Sequence, residues 1–586
     1  MGVKPATIED RALRVALCQR NFSVGDLAGN VEKIRRSLVE ARELGADLAL
    51  FPELSITGYP PEDLLLKPHF AEEADAALRD LASDVRDIVA VVGYPQLADD
   101  LYNTAAILAA GDVAATYRKR YLPNYGVFDE QRYFARGDDA LVLDLDGAKV
   151  GVTICEDLWY PGGPAQRAAV DGGAEVLICL SASPYQRGKG LERERILATR
   201  CLDYVCYLAF CNAIGGQDEL VFDGHSLVID PRGNIVARGR QLEEDLLVVD
   251  LELTRVSRRR LHDPRWRQRL MTADDRVTQV SVPRQQKDKP HLQASQKRAL
   301  LGPEAEIYQA LLLGTKDYFH KNGFDHAVLG LSGGIDSALS LVVAADALGP
   351  DAVTAVAMPS RYTLSATMND TREIANRVGV ELLELPIDEL FEGYLAGLAR
   401  SFKGTRPGVA EENIQARIRG TLLMALSNKF GWLVLATGNK SEMSVGYATL
   451  YGDMAGGFAI LKDVPKTCVY DLVRWRNQQG EVVPPSVLSK PPSAELREGQ
   501  LDSDTLPPYE VLDPIIEAYV ENDHSPEEIE KLGFDRPLVD EIVAMIDRAE
   551  YKRRQAPPGI RITARAFGKD RRLPITNLYR PASSKD

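Results

Sequence analysis

Short apolar runs alternate with amphipathic stretches along most of the chain. Residues 13–19 (LRVALCQ), 46–53 (ADLALFPE) and 87–95 (DIVAVVGYP) are apolar runs bounded by turn residues, and predict buried strands. Between the first two, NVEKIRRSLVEARELG has helical spacing and stops at Gly45. Hairpin turns fall near Ala110-Gly111-Asp112 and at Asp146-Gly147, and the run GAKVGVTIC ends a strand at Cys155. AEVLICLSAS, YLAFCNAIG, the hairpin HSLVIDPRGNIVARG and DLLVVDLEL complete a region that ends near residue 255. Many strands with intervening helices predict a two-sheet α/β domain.

Residues 283–299, PRQQKDKPHLQASQKRA, are polar with little periodicity and predict a linker, which divides the chain into domains 1–282 and 300–586. The alternation then resumes with AVLGL, AVTAVAMP, ELLELPI and WLVLATG as strands and a helix at about residues 409–430. This βαβαβ order predicts a doubly wound parallel sheet, with ligand at the C-terminal ends of its strands. Residues 481–514 are rich in proline and acidic side chains and read as a long loop or lid.

Composition narrows the function classes. At 586 residues the chain exceeds what one core supports. A net charge of −15 argues against a nucleic-acid or membrane-surface partner. Seven cysteines, six of them in the N-terminal half and none in a CxxC pair, fit a reducing compartment, so a cytoplasmic location is expected. No apolar run approaches the roughly 20 residues of a membrane span, and MGVKPATIEDRALR lacks the apolar core of a secretory leader.

The strongest chemical signal is GLSGGIDS: Gly330, Leu331, Ser332, Gly333, Gly334, Ile335, Asp336 and Ser337. It lies between an apolar run and a helical pattern that stops at Gly349, so backbone N–H groups and a helix dipole converge on one turn. No lysine follows the glycines, which excludes the ordinary P-loop. Hydroxyls and one carboxylate stand there instead. The string resembles the pyrophosphate loop of ligases that use ATP to form an adenylate.

Three residues stand at predicted strand ends in the first domain: Glu53 in FPELSITGYPPEDLL, Lys119 in TYRKRYLPNYGVFDEQRYF and Cys155 in GVTICEDLWYPG. A thiol nucleophile needs a base and a cation that holds the oxyanion, and glutamate and lysine meet those needs. These strings, over about residues 13–260, resemble the nitrilase superfamily and in particular its glutamine-amidase branch. The resemblance implies an α-β-β-α sandwich, with Glu53 as general base, Lys119 as oxyanion stabiliser and Cys155 as the nucleophile that forms a glutamyl thioester. It also implies that Tyr125 and Glu130 in NYGVFDE, and Ser183 and Lys189 in LSASPYQRGKG, form the glutamine pocket. Glu130 has a second reading, as a carboxylate that supports Lys119.

In the second domain, ENIQARIRG contains Asn413, and ATGNKSEMSVGYATLYGD contains Thr437, Glu442 and Asp453. Two carboxylates beside a pyrophosphate loop suit Mg²⁺, and Asp336 and Glu442 are the pair. In AMPSRYTLSATMND, Ser365 is expected to cap the helix that follows. From about residue 300 onward the strings resemble the glutamine-dependent NAD⁺ synthetase family. The resemblance implies that Thr437 contacts ATP and that Asn413, Glu442 and Lys552 contact deamido-NAD⁺. It implies glutamine, ATP and deamido-NAD⁺ as substrates and a homo-oligomer. The alternatives are a glutamine-dependent ligase with a different carboxylate or carbonyl acceptor, and a nucleotide-sensing protein that holds ATP without turnover.

Overall fold

The computed structural model describes residues 11–267, 277–284, 289–292 and 296–579. They gather into two compact units, divided between Leu301 and Gly302, with the short segment Asp218–Leu220 grouped with the second.

The first unit holds two stacked sheets. The first is six-stranded, in the order β14-β1-β2-β3-β4-β5: β1 (Ala12–Gln19), β2 (Leu48–Leu50), β3 (Val89–Leu97), β4 (Leu101–Ala109), β5 (Asp112–Arg118) and β14 (Asp245–Glu252). The second is seven-stranded, in the order β13-β12-β9-β8-β7-β6-β15: β6 (Ala140–Leu145), β7 (Ala148–Ile154), β8 (Val176–Ser181), β9 (Tyr207–Asn212), β12 (Leu227–Ile229), β13 (Ile235–Arg238) and β15 (Val277–Ser281). A small hairpin, β10 (Ile214–Gln217) and β11 (Leu220–Asp223), stands apart from both. Leu13, Val15 and Leu17 of β1 meet Leu141, Val150 and Ile178 in one core between the sheets. The helices Leu27–Glu43 and Pro68–Asp84 cover the outer face of the first sheet. The helix Lys189–Tyr204 covers that of the second. Strands buried on both faces explain the near-continuous apolar runs, and the result is the expected α-β-β-α sandwich.

Of the linker segment, residues 285–288 and 293–295 lie outside the described residues. Its described parts are tied to the first unit. Lys289 pairs with Asp47 at 2.6 Å, and the Gln296 carbonyl accepts from the Arg238 N–H. β15 is a strand that the periodicity did not predict. It runs parallel to β6 as an exposed edge, so its VTQVS sequence lacks a clean buried face.

The second unit has a five-stranded sheet in the order β18-β17-β16-β19-β20: β16 (Ala327–Gly330), β17 (Val353–Ala357), β18 (Glu381–Glu384), β19 (Leu433–Ala436) and β20 (Phe458–Ala459). All its pairings are parallel. The chain leaves β16 in one direction to β17 and β18, then returns to the other side with β19. The crevice between β16 and β19 is therefore the switch point where such sheets hold ligands. The acidic, proline-rich segment is a wall with short helical turns, Pro485–Ser489 and Asp502–Asp504, and helix Tyr509–Ile516 begins before it ends. Ser365 opens helix Ser365–Val378 as its first helical residue. Leu364 is the cap, so the expected hydroxyl cap is not made.

Candidate functional site

Two constellations arise, one in each unit. In the first unit, Glu53 follows β2, Lys119 follows β5 and Cys155 follows β7, so the two sheets each contribute. The three residues are 2%, 1% and 4% exposed. Glu53 sits in a turn that needs Gly93 beneath it, since a Cβ on Gly93 would stand 2.3 Å from the Leu54 nitrogen. Cys155 has φ +39°, left-handed for a residue with a side chain, at the start of a tight turn, Cys155–Leu158.

Lys119 Nζ donates to Glu53 Oε1 at 2.6 Å and to both Glu130 oxygens at 2.8 Å. Glu53 also accepts from Asn103 Nδ2 (2.8 Å) and from the Ala182 N–H (3.1 Å), and Tyr59 Oη donates to Glu130 (2.9 Å). Burial pulls the Lys119 ammonium toward neutrality, but Glu130 and Glu53 overcome that and hold it well above the usual lysine range. Burial pushes Glu130 up to about 7 against the pull of Lys119. The Cys155 thiol is also pushed up, by burial and then by Glu53, with Lys119 and the Ser181 hydroxyl at 3.4 Å opposing. The resting sulfur is thus a thiol, and a base must take its proton. Glu130 faces Lys119.

The remaining residues expected around glutamine lie nearby. Tyr125 is 54% exposed and donates from its hydroxyl to both Glu156 oxygens, at 2.9 and 3.1 Å. Ser183 is buried, and its Oγ has no partner among the described residues. Lys189, the first residue of its helix, places its ammonium 5.6 Å from the centre of the Trp159 ring. Its charge acts on buried Glu156, a carboxylate to which the sequence reading gave no role.

In the second unit, a cavity of about 300 Å³ is lined by the whole run Gly330 to Ser337, with Thr437, Glu442 and Asp453. Gly333 has φ +74°, and a Cβ there would lie 2.7 Å from the Thr367 carbonyl oxygen. Ser337 Oγ braces the turn, accepting from the Ser332 N–H and donating to the Gly334 carbonyl. The helix Ile335–Leu348 starts there and aims its N-terminus at the cavity.

Motif reading missed Lys466. Its ammonium bonds Asp336 and lies 3.5 Å from Glu442 Oε1. The two carboxylates thus converge on one cation position, open to the cavity. Burial pushes Glu442 up to about 8, Lys466 opposes this, and Asp336 and Asp502 add to it. Among the described residues no three His, Cys, Asp or Glu side chains form a metal cage. Two hard oxygen donors on a shared cation position suit an ion that keeps waters and phosphate oxygens as its other ligands. Arg419, Lys490 and Glu495 also line the cavity. Asn413 and Lys552 do not line it. Both hold the loop after helix Lys440–Val445: Asn413 Oδ1 accepts from Thr449 Oγ1 (2.8 Å), and Lys552 donates to the Gly446 and Ala448 carbonyls (2.8 Å each).

Each unit matches a known family. Residues 14–260 match the carbon-nitrogen hydrolase family and residues 307–556 the NAD synthase family. The glutamine-dependent NAD(+) synthetase of Thermotoga maritima is 47% identical over 578 residues, 97% of this chain and 99% of that protein. That of Aquifex aeolicus is 47% identical over 571 residues, 97% of this chain and 100% of that protein. The solved structure of the Acinetobacter baumannii glutamine-dependent NAD+ synthetase with adenosine diphosphate is 39% identical with a TM-score of 0.72, covering 98% of this chain and all of that one. With such identity across nearly its full length, the chain belongs to the glutamine-dependent NAD⁺ synthetase family.

Proposed function

We propose that the chain makes NAD⁺ from deamido-NAD⁺, ATP and glutamine, with the labour divided between its two units. Glu53 takes the Cys155 proton as the sulfur attacks the glutamine carboxamide. Lys119 meets the oxyanion, Glu53 returns the proton to the amide nitrogen, and ammonia leaves behind a glutamyl thioester that water hydrolyses. Tyr125, Ser183 and Lys189 hold the glutamine, and Glu130 keeps Lys119 charged. In the second unit the loop from Gly330 to Ser337, with Thr437 and Lys466, holds the triphosphate. The nicotinate carboxylate attacks the α-phosphate and expels pyrophosphate. Ammonia then adds to the adenylate carbonyl and AMP leaves. A free carboxylate is a poor electrophile toward ammonia, which is why the adenylate is formed first. Asp336 and Glu442 would hold Mg²⁺, which would supply charge neutralisation on the phosphates. Glu442, Asn413 and Lys552 contribute to the deamido-NAD⁺ site, the last two by fixing the loop after residue 445.

One observation carries this reading. A single chain holds a buried Glu-Lys-Cys set and, in its other unit, a cavity floored by an SGGIDS loop. A pure nucleotide sensor has no need of the first set. We also assign the chain to the cytoplasm and to a homo-oligomer. No helix among the described residues is long and apolar enough to cross a membrane. The test supplies glutamine or ammonium with Mg-ATP and deamido-NAD⁺ and follows NAD⁺, AMP and pyrophosphate. Cys155→Ala is expected to lose synthesis from glutamine and keep synthesis from ammonium, while Asp336→Ala is expected to lose both. Equal loss by Cys155→Ala on both nitrogen sources would refute the division of labour. Turnover of another carboxylate in place of deamido-NAD⁺ would refute the acceptor.

A further inference from the structure

Lys119 and Cys155 descend from different sheets, so something must set one against the other. Asp157 lies two residues past Cys155 and is fully buried. Its Oδ2 accepts from Tyr117 Oη at 2.7 Å and from the Ile154 N–H at 3.0 Å. Its Oδ1 accepts from the Tyr121 N–H at 3.0 Å and the Arg120 N–H at 3.3 Å. Tyr117, Arg120 and Tyr121 bracket Lys119 at the end of β5, in the first sheet. Ile154 precedes Cys155 at the end of β7, in the second.

All four bonds come from neutral donors, so this buried charge is not one half of an ion pair. A carboxylate is costly to bury, and an amide or hydroxyl would fill the space more cheaply. Only a carboxylate accepts on both oxygens twice over, and four acceptances are what the junction of the two strands demands. The same bonds hold the left-handed Cys155 backbone in its turn, since the Ile154 N–H is fixed directly before it.

We propose that Asp157 is the positioning residue that sets Lys119 against the Cys155 sulfur, by fastening the end of β5 to the turn that follows β7. The proposal rests on the assignment of Cys155 and Lys119 to glutamine hydrolysis. In Asp157→Asn one oxygen becomes an NH₂ group. Turned toward Tyr117, it leaves the Ile154 N–H facing a donor; turned the other way, it confronts two N–H groups. The lost registration is felt at Cys155, whose other facing groups stay chemically unchanged: Glu53, Lys119, Glu156, Tyr59, Tyr125, and Cys179 and Ser181 on β8. A misplacement approaching 1 Å costs on the order of 10²-fold in rate.

The test uses the full-length chain. In Asp157→Asn, kcat for glutamine hydrolysis is expected to fall about 10²-fold, with KM within about threefold and ammonium-driven synthesis unchanged. Iodoacetamide labelling, followed by mass spectrometry of the Cys155 peptide because the chain has six other free cysteines, is expected to reach full stoichiometry. Its rate is expected to fall about tenfold, and its rise with pH to move up by about one unit, as when one charge-assisted bond is lost. Tyr117→Phe removes one of the four bonds and is expected to cost about threefold in kcat. It decides the question if Asp157→Asn does not fold, because an unchanged kcat there overturns the proposal. An unchanged labelling profile in Asp157→Asn also overturns it. So does a loss of activity matched by fewer labelled chains at an unaltered pH profile, which marks a merely structural role. Cys155→Ala is the control. If it keeps glutamine-driven synthesis, the assignment of the nucleophile falls and this proposal with it. If it loses that synthesis while Asp157→Asn behaves as the parent, only the positioning role is refuted.

Discussion

Replacing Lys119 with methionine separates what the lysine does for catalysis from what it does for the fold. The ammonium sits 2.6 Å from Glu53 and 2.8 Å from Glu130, in a site closed to solvent. Without it, two carboxylates face each other across at most about 5.4 Å, which at an effective dielectric near 20 is a repulsion of about 3 kcal/mol. Removing one partner from a buried ion pair costs about 3–5 kcal/mol in general. The deficit depends on pH in a definite direction. Glu130, at about 7 in the fold, already lies above the 4.5 of a free glutamate. A carboxyl raised by folding stabilises the fold while protonated, and that contribution is lost as pH rises through its folded value. Without Lys119 the pair holds its proton to still higher pH. The deficit is therefore about 2 kcal/mol smaller at pH 6 than at pH 8.5, at about 1.4 kcal/mol per unit. Lys119→Met/Glu130→Gln removes the repulsion and should recover about 2–3 kcal/mol at pH 8.5. Glu53 keeps its bonds from Asn103 and Ala182 in both variants. Urea unfolding of the three proteins at both pH values measures this. Glutamine-driven synthesis should fall at least 10²–10³-fold in both variants, as for loss of an oxyanion donor, and ammonium-driven synthesis should persist. A deficit that does not change with pH, or a double variant no more stable than Lys119→Met, would show that the carboxylates do not share this ammonium.

Three further outcomes follow from single contacts. Gly333→Ala places a methyl group 2.7 Å from the Thr367 carbonyl oxygen at φ +74°, so AMP formation should fail from either nitrogen source while glutamine hydrolysis continues. Thermal unfolding should report a cost of about 1–3 kcal/mol. Ser183→Ala deletes a buried hydroxyl that bonds nothing among the described residues. It should raise KM for glutamine about tenfold, as one lost substrate bond does, without lowering the melting temperature; an unchanged KM removes Ser183 from the pocket. Lys466→Met should abolish adenylation and push Glu442 above its present value of about 8. The variant should therefore be least stable, relative to the parent, at alkaline pH, and a pH-independent difference would count against the shared cation position.

Much of this was legible in the residues. Strands buried on both faces write themselves as unbroken apolar runs, so β1, β3, β8 and β16 are visible in the sequence. The edge strand β15 and the two-residue β20 are not, because β15 buries no clean face and β20, though buried, is too short to show a period. Motif strings named the residues of the SGGIDS loop and the Glu-Lys-Cys set. They did not show which way a side chain points: Asn413 accepts from the Thr449 hydroxyl and Lys552 donates to loop carbonyls, and neither lines the cavity. Lys466 did carry a signal. It is the first residue of helix Lys466–Asn477, directly after Pro465, where the helix dipole disfavours a cation. Lys189 opens its helix in the same way. A lysine at that position costs stability unless an anion is near, and both of these have one.

Lys440 is the counterexample that makes the rule useful. It too opens a helix, yet it is 1% exposed and its ammonium is spent on Glu521, Asp463, Thr563 and the Arg565 carbonyl. All of its donors are committed to protein, so no ligand can recruit it without unfolding its surroundings. Lys440 also lies between two carboxylates, but Lys119 and Lys466 differ from it in that, among the described residues, their ammonium groups bond carboxylates alone, two in each case, whose mutual repulsion they suppress. A charge arriving at either site changes that balance. On the proposed roles, an oxyanion beside Lys119 would compete with Glu53 and Glu130 for the ammonium protons and favour a proton on one carboxylate, as Glu53 would carry on deprotonating Cys155. On the same roles, a polyphosphate beside Lys466 would draw the ammonium from Asp336 and Glu442 and leave both oxygens free for a divalent cation. The two units have unrelated folds and different chemistry, but in each an ammonium bridges two carboxylates at rest, and on the proposed roles each cluster would be released by the charge it binds.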